Sequence, residues 1–356
     1  MPVIPHPITN GPGSDFFGKH GADDVFRYTL QNASGMLVRI LNLGCTITEI
    51  HVPDRNGILS DVVLGFDALE GYLQPGNPYF GCIIGRCANR IRGAAFSLDG
   101  KEYRLAMNAE GSSLHGGIRG FDKYVWVVKS QGIDTILFSR LSPDGEEGYP
   151  GDLTVDLRYT VRPDNSLQID YRAECDRPSP VNMTNHSYFN LSGGSDPDIL
   201  EHEIQLEADH YTPLDGSLLP IGTLEPVAGT SMDFTQRRLI RDRMPLVSDG
   251  FDHNMVLRRS GSAPFPAATL LHRASGRVLQ VSTTEPGLQF YTGNFLDGSL
   301  IGKGGVRYGR HAGLCLEAQA FPDALHHPSF PAIILRPGQV YQQQTVYRFG
   351  VFPDPL

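Results

Sequence analysis

The run Val155-Asp-Leu-Arg-Tyr-Thr-Val161, followed by Pro163-Asp164-Asn165 and then Leu167-Gln-Ile-Asp-Tyr171, decides how this chain folds. Val155, Leu157, Tyr159 and Val161 alternate with Asp156, Arg158 and Thr160, the period of two that gives a strand one buried and one wet face. The Pro-Asp-Asn turn then sends the chain back through Leu167, Ile169 and Tyr171, which predicts an antiparallel hairpin. The same punctuation recurs outward in both directions. Phe96 to Leu105 contains the Asp99-Gly100 pair of a tight hairpin, and further turns fall at Asp54 to Gly57, Asp215-Gly216, Ser275-Gly276 and Pro337-Gly338. Strand-like runs lie near 37–50, 277–284, 314–319 and 340–349, whereas only Gln236 to Arg243 and Asp67 to Tyr72 read as helical, and both are short. Forty glycines and 26 prolines suit a chain that turns this often. The expected architecture is all-β, an antiparallel β-sandwich that takes residues 1–356 as one domain, with 1–20 as an irregular N-terminal arm.

Composition narrows the function. Thirty Lys plus Arg against 39 Asp plus Glu give a net charge of −9 without any run of like charge, which argues against nucleic acid or an anionic membrane as partner. The five cysteines, Cys45, Cys82, Cys87, Cys175 and Cys315, form neither a paired framework nor a zinc-ligand spacing, so no metal is expected. The prolines of the first twenty residues leave no apolar signal core, and no later stretch approaches a membrane-spanning length. A soluble, cytoplasmic protein is the expectation, as monomer or homodimer.

Three strand-like segments turn polar where a core would not. In Pro180 to Leu191, Val181 and Met183 alternate with Asn182, Thr184 and His186, so His186 is expected on the face away from the core, among amides and hydroxyls able to hold an imidazole. Leu314, Leu316 and Ala318 share one face of another strand while Glu317 and Gln319 share the other, and Phe321-Pro322-Asp323 ends it. Gln289 opposes Leu288 and Phe290 in the same way. Read singly, Glu317 and Gln289 also fit polar residues of an edge strand, and His186 also fits a histidine that satisfies a buried backbone group. Two loops add chemistry: His115 stands beside Gly116 and Gly117, and Asn89 stands next to Arg90. Adjacent residues point to opposite faces of a regular strand, so Asn89 and Arg90 can share a site only across a bulge or turn. Asp252, after Gly250-Phe251, completes the polar set, although an Asp after Gly is commonly a turn residue.

These segments together resemble the aldose 1-epimerases, also called galactose mutarotases. The resemblance rests on Asn89-Arg90, Ser113 to Gly117 with Gly120 to Lys123, Pro180 to Leu191, Phe251 to His253, Gln289 to Asn294, and Leu316-Glu317 through Phe321 to Ala324, in the family's order. It implies a large twisted antiparallel β-sandwich with an open cleft for a monosaccharide and no cofactor. By carry-over onto matching positions, it implies Glu317 as general base and His186 as general acid. Asn89, Arg90, His115, Asp252 and Gln289 would then bind the sugar. Two loops depart from the family's pattern, Ser112-Ser113 before His115 and Leu325-His326-His327-Pro328 after Ala324, and both bear on substrate preference.

The implied chemistry needs only such groups. A base takes the proton of the anomeric hydroxyl and an acid gives one to the ring oxygen. The ring opens to the aldehyde, rotates and recloses with the roles exchanged. On reference values near 4.3 for Glu and 6.5 for His, the rate should fall in acid as Glu317 protonates and in alkali as His186 deprotonates, with burial drawing the two limbs together. A hexose-6-phosphate mutarotase of related fold would need extra cations, for which Arg119 and Lys123 are candidates. A non-catalytic sugar-binding sandwich would not need an acid opposed to a base, and a glycosidase would pair Asp252 with Glu317 as carboxylates.

Overall fold

A computed structural model describes residues 13–258, 261 and 263–352. Leu153–Val161 and Ser166–Cys175 form the hairpin read from the sequence, with Tyr159 opposite Ile169 and Asp156 opposite Arg172. The apolar positions of both strands are buried, while Arg158 and Arg172 are exposed on the other face. The hairpin is the middle of a nine-stranded sheet that begins Val127–Gln131, Thr135–Ser142 and continues beyond the hairpin through Tyr341–Val351, Arg277–Thr283, Phe265–His272, His202–Leu206 and Arg238–Leu239. A five-stranded sheet runs from Gly13–His20 to Leu59–Asp61. A six-stranded sheet is ordered Tyr188–Phe189, Leu314–Gln319, Gly287–Tyr291, Asp252–Leu257, Ala208–Tyr211 and Glu225–Pro226. Neighbouring strands in these three sheets are antiparallel throughout.

One hydrophobic cluster joins the three sheets, drawing in Tyr28, Val38, Leu157, Ile169, Leu270, Leu288, Phe290, Leu316 and Phe349. Burying each such large side chain stabilises the fold by about 1.5–3 kcal/mol. The six-stranded sheet is covered on both faces at its centre, where every residue of Leu314–Gln319 and Gly287–Tyr291 is buried. Leu314, Leu316 and Ala318 join the core, and the other face is left to Cys315, Glu317 and Gln319. No helix among the described residues is long and apolar enough to cross a membrane.

Several expectations change. Residues 13–20 are no irregular arm: Gly13–His20 pairs with Asp23–Gln31 through a bulge at Phe16/Gly18, and Phe16 sets its ring edge-on to Phe26 at 5.9 Å. The prolines that suggested an arm precede this strand, and residues 1–12 lie outside the described ones. The segment 236–243 is helical only over Ile240–Arg243, because Arg238–Leu239 pairs with the edge of the large sheet. The short helix near 67–72 is Leu69–Leu73.

The larger correction concerns Pro180 to Leu191, which is not a continuous strand. It touches three different partners in two-residue steps: Ser179–Pro180 with Ile334–Leu335, Thr184–Asn185 with Ile83–Ile84, and Tyr188–Phe189 with Leu314–Cys315. Its asparagines hold backbone rather than an imidazole. Asn182 Oδ1 accepts the Ala320 amide at 2.9 Å, and Asn185 Nδ2 donates to the Gly81 carbonyl at 2.9 Å. The chain is thereby threaded across the sheets, and His186 is delivered to the polar face of Leu314–Gln319.

Candidate active site

Strand register assembles the first part of the site. Glu317 lies directly opposite Gln289, and Gln289 opposite Asn254. One step along, Cys315 lies opposite Tyr291 and Tyr291 opposite Asp252. Residues facing each other across antiparallel strands share a face, so Glu317, Gln289 and Asp252 form one polar patch. Gln289 Nε2 donates to Asp252 Oδ1 at 2.7 Å.

Loops supply the rest. Asn89 adopts φ 60° and His115 φ 51°, left-handed conformations that Asn and His tolerate better than most residues. At Asn89 this is the turn needed for Asn89 and Arg90 to face one site. The His115 amide donates to the Asn89 carbonyl at 3.0 Å, and the Asn89 amide donates to His115 Nδ1 at 3.2 Å. With Nδ1 accepting, the neutral ring carries its proton on Nε2 and can offer it to an acceptor in the pocket. Gly116 is required beside it: φ is +89°, and a Cβ would lie 1.9 Å from the Gly85 carbonyl oxygen.

Asn89, Arg90, His115, His186, Asp252 and Glu317 line one pocket, together with Pro78, Tyr79, Leu114, Tyr188, Tyr291 and Phe295. Gln289 does not line it and meets it through Asp252. The aromatic wall was not read from the sequence. Tyr188 stood inside the quoted His186 segment and Phe295 directly follows the Gln289 to Asn294 block, but nothing in their spacing marked them. A wider groove over the outer face of the nine-stranded sheet holds Asp156, Arg158, Asp170 and Arg172. Those charges alternate in sign across strands, as on a solvated sheet face, and the acid–base groups converge in the smaller pocket instead.

His186 Nε2 lies 3.6 Å from Glu317 Oε1, and His186 Nδ1 lies 3.5 Å from Cys315 Sγ. His186 stacks on Tyr188 with ring centres 5.2 Å apart and meets the His115 ring edge-on at 5.1 Å. Burial pushes Glu317 well above the usual carboxylate range; Asp252 adds to the rise and Arg90 opposes it. Burial lowers His186 to about 4. Burial lowers His115 too, helped by His186, Arg90 and Lys123, and it raises Asp252 against its hydrogen bond from Gln289. Perturbed groups of opposite type gathered in one cleft make it a candidate site for proton transfer. Glu317 Oε2 is buried without a protein hydrogen-bond partner, which leaves an acceptor on a residue that lines the pocket.

His186, Cys315 and Glu317 each offer an atom of metal-ligand type within 4.8 Å of one another. The two nitrogens of an imidazole point away from each other, and here one faces the sulfur and the other the carboxylate. The trio therefore forms a row rather than a cage around one ion.

The fold is an antiparallel β-sandwich whose pocket gathers two histidines, two carboxylates and an arginine. The sequence pattern of the family "Aldose 1-epimerase" matches residues 27–348, and the chain belongs to that family. It is 51% identical to human galactose mutarotase over 334 residues, covering 93% of this chain and 96% of the relative. It is 38% identical to the aldose 1-epimerase of Escherichia coli K12 over 328 residues, or 90% and 94% of the two chains. Among solved structures, a GalM/aldose epimerase homologue from C. elegans superposes with a TM-score of 0.86 at 30% identity, covering 96% of this chain and all of that one. The galactose 1-epimerase of Lactobacillus acidophilus NCFM gives 0.83 at 27% identity, with 96% and 100% covered. The chain is an enzyme that interconverts the anomers of aldoses.

Proposed function

We propose that Glu317 and His186 are the base and acid with which this enzyme opens and recloses the ring of free aldohexoses such as glucose and galactose. The observation that carries this reading is the 3.6 Å separation of His186 Nε2 and Glu317 Oε1, two buried side chains that line one pocket. The two oxygens that exchange protons in mutarotation, the anomeric hydroxyl and the ring oxygen, are bonded to the same carbon. An acid and a base a few ångströms apart can each meet one of them. Glu317 takes the hydroxyl proton, His186 Nε2–H protonates the ring oxygen, and the C1–ring-oxygen bond breaks to give the aldehyde. Rotation about C1–C2 presents the other carbonyl face, and the same groups return their protons as the ring closes.

Arg90 faces Glu317 and Asp252 electrostatically and suits the charge that develops on the ring oxygen. His115 Nε2–H, Asn89 and Asp252 are the hydroxyl-binding groups, with Gln289 holding Asp252 in place. The net charge of −9 supports a small neutral sugar rather than a polyanion as partner.

Free sugar is favoured over hexose 6-phosphate by the state of Lys123 and Arg119, the two cations that are candidates for a phosphate. Lys123 Nζ bonds Asp122 and lies over the Tyr79 ring at 5.3 Å, and the Arg119 guanidinium lies over Tyr124 at 4.3 Å. Polarimetry of freshly dissolved α-glucose, α-galactose, xylose and glucose 6-phosphate tests the reading. Accelerated decay for the free hexoses supports it, and acceleration for the phosphorylated sugar alone would overturn it.

A further inference from the structure

We propose that Asp323 is a positioning residue for the reaction: its amide and carboxylate close the open edge of the strand Arg90–Arg92 and so set the Arg90 guanidinium against Glu317. This rests on the reading of Arg90 as the group that meets charge developing on the ring oxygen. Arg90 interacts with Glu317 and Asp252 through charge, and among the described residues no hydrogen bond fixes its guanidinium. The backbone therefore decides where the guanidinium stands. That backbone is a strand of three residues with one strand neighbour, Ser112–Leu114, in which Leu114 lies opposite Arg90 and Ser112 opposite Arg92. A strand paired on one side leaves the amides and carbonyls of alternate residues bare on the other.

Asp323 takes up that bare edge. Its amide donates to the Arg90 carbonyl at 3.1 Å, and its Oδ1 accepts the Arg92 amide at 2.9 Å. The Arg90 amide itself donates to Asn89 Oδ1 at 2.9 Å, so the edge is fully satisfied. One residue thus replaces a whole strand, and its left-handed backbone, φ 56°, is one that Asp tolerates. An Asp in front of a short helix ordinarily caps it. Asp323 precedes the single turn Ala324–His326, yet its side chain makes no cap there. The carboxylate is instead wholly buried against the groups around it. His326 Nδ1 donates to Oδ1 at 2.6 Å, and Arg92 Nε and His327 Nε2 each lie 3.5 Å from Oδ2.

The same residue joins this edge to the proposed base. Asp323 follows the strand Leu314–Gln319 that carries Glu317, and the chain between them is pinned at Ala320. The Ala320 amide donates to Asn182 Oδ1 at 2.9 Å, and Asn182 Nδ2 donates to the Ala320 carbonyl at 3.2 Å. Loosening Asp323 therefore lets Arg90 shift relative to Glu317. Misplacing a group at the reacting centre by about 1 Å can cost about 10²-fold in rate.

The test is a double-mutant cycle in the full-length enzyme, read as kcat and KM for α-galactose per folded protein. Asp323→Gly keeps the left-handed backbone and removes only the carboxylate. It should lower kcat about tenfold with KM within about twofold, and Asp323→Asn, which retains Oδ1, should bring kcat back to within about threefold of the wild type. In an Arg90→Ala background, Asp323→Gly should lower kcat by less than about twofold, because the group it positions is gone. Asp323→Ser, too short to reach the Arg92 amide, serves if the glycine variant fails to fold. An equal loss from Asp323→Gly in both backgrounds, wild-type kcat in Asp323→Gly, or no recovery in Asp323→Asn would overturn the role of Asp323 alone. Undiminished kcat in Arg90→Ala would overturn the reading of Arg90 and the positioning role together.

Discussion

His186 Nε2 and Glu317 Oε1 stand 3.6 Å apart, too far for a hydrogen bond and close enough for one anomeric carbon to present an oxygen to each. Burial carries the two groups past one another, Glu317 upward and His186 down to about 4. The reactive arrangement, ionised Glu317 with protonated His186, holds one proton in total, as does the neutral pair. The limbs of the pH profile therefore exchange owners relative to the sequence-based expectation. Below about 4 both groups hold protons and the base is lost. Above the raised Glu317 value neither holds one and the acid is lost. The plot of kcat/KM against pH should be a broad bell with its acid limb near 4, and a narrow bell centred between 4.3 and 6.5 would contradict this ordering.

Glu317→Gln keeps the shape and removes the base. We expect kcat to fall by about 10²- to 10⁴-fold with little change in KM. Polarimetric rates against α-galactose check it, and turnover near that of the wild type would remove Glu317 from the mechanism.

Gln289 Nε2 holds Asp252 Oδ1 at 2.7 Å, so the two residues should act as one unit. Asp252→Ala should raise KM about tenfold, Gln289→Ala somewhat less, and the double variant little more than Asp252→Ala. Strictly additive losses from a double-mutant cycle would show that Gln289 meets the sugar independently.

Gly116 admits no side chain, since φ is +89° and a Cβ would fall 1.9 Å from the Gly85 carbonyl oxygen. Gly116→Ala should cost at least about 1–3 kcal/mol of stability through backbone strain and displace His115. Thermal melting and KM should change together, and unchanged values for both would mean the loop relaxes freely.

How far the sequence could be read follows from where the information lies. Alternation along Leu314–Gln319 and Gly287–Tyr291 placed Glu317 and Gln289 on the polar face, because a strand's period of two is written locally. The proximity of Asn89 and Arg90 required a turn, and Asn89 supplies one at φ 60°. The path of Pro180 to Leu191 was misread. Its alternation is that of a strand, yet distant partners such as Ala320, Gly81 and the Cys82 carbonyl break it into steps. The partner of Gln289 was hidden because a diagonal contact depends on the register of two strands 37 residues apart in the chain. The tyrosine wall escaped because an aromatic in a buried strand ordinarily belongs to the core.

Proton transfer confined to oxygen is the central claim, and proton NMR of α-galactose turning over in D₂O tests it most directly. The spectrum reports the α and β anomeric signals and the C2 proton together. The account predicts that the enzyme hastens the approach to anomeric equilibrium, that Glu317→Gln largely abolishes the effect, and that the C2 proton keeps its full intensity after many turnovers. Loss of the C2 signal would mean an enediol in place of ring opening, and an approach to equilibrium no faster than without enzyme would contradict the account altogether.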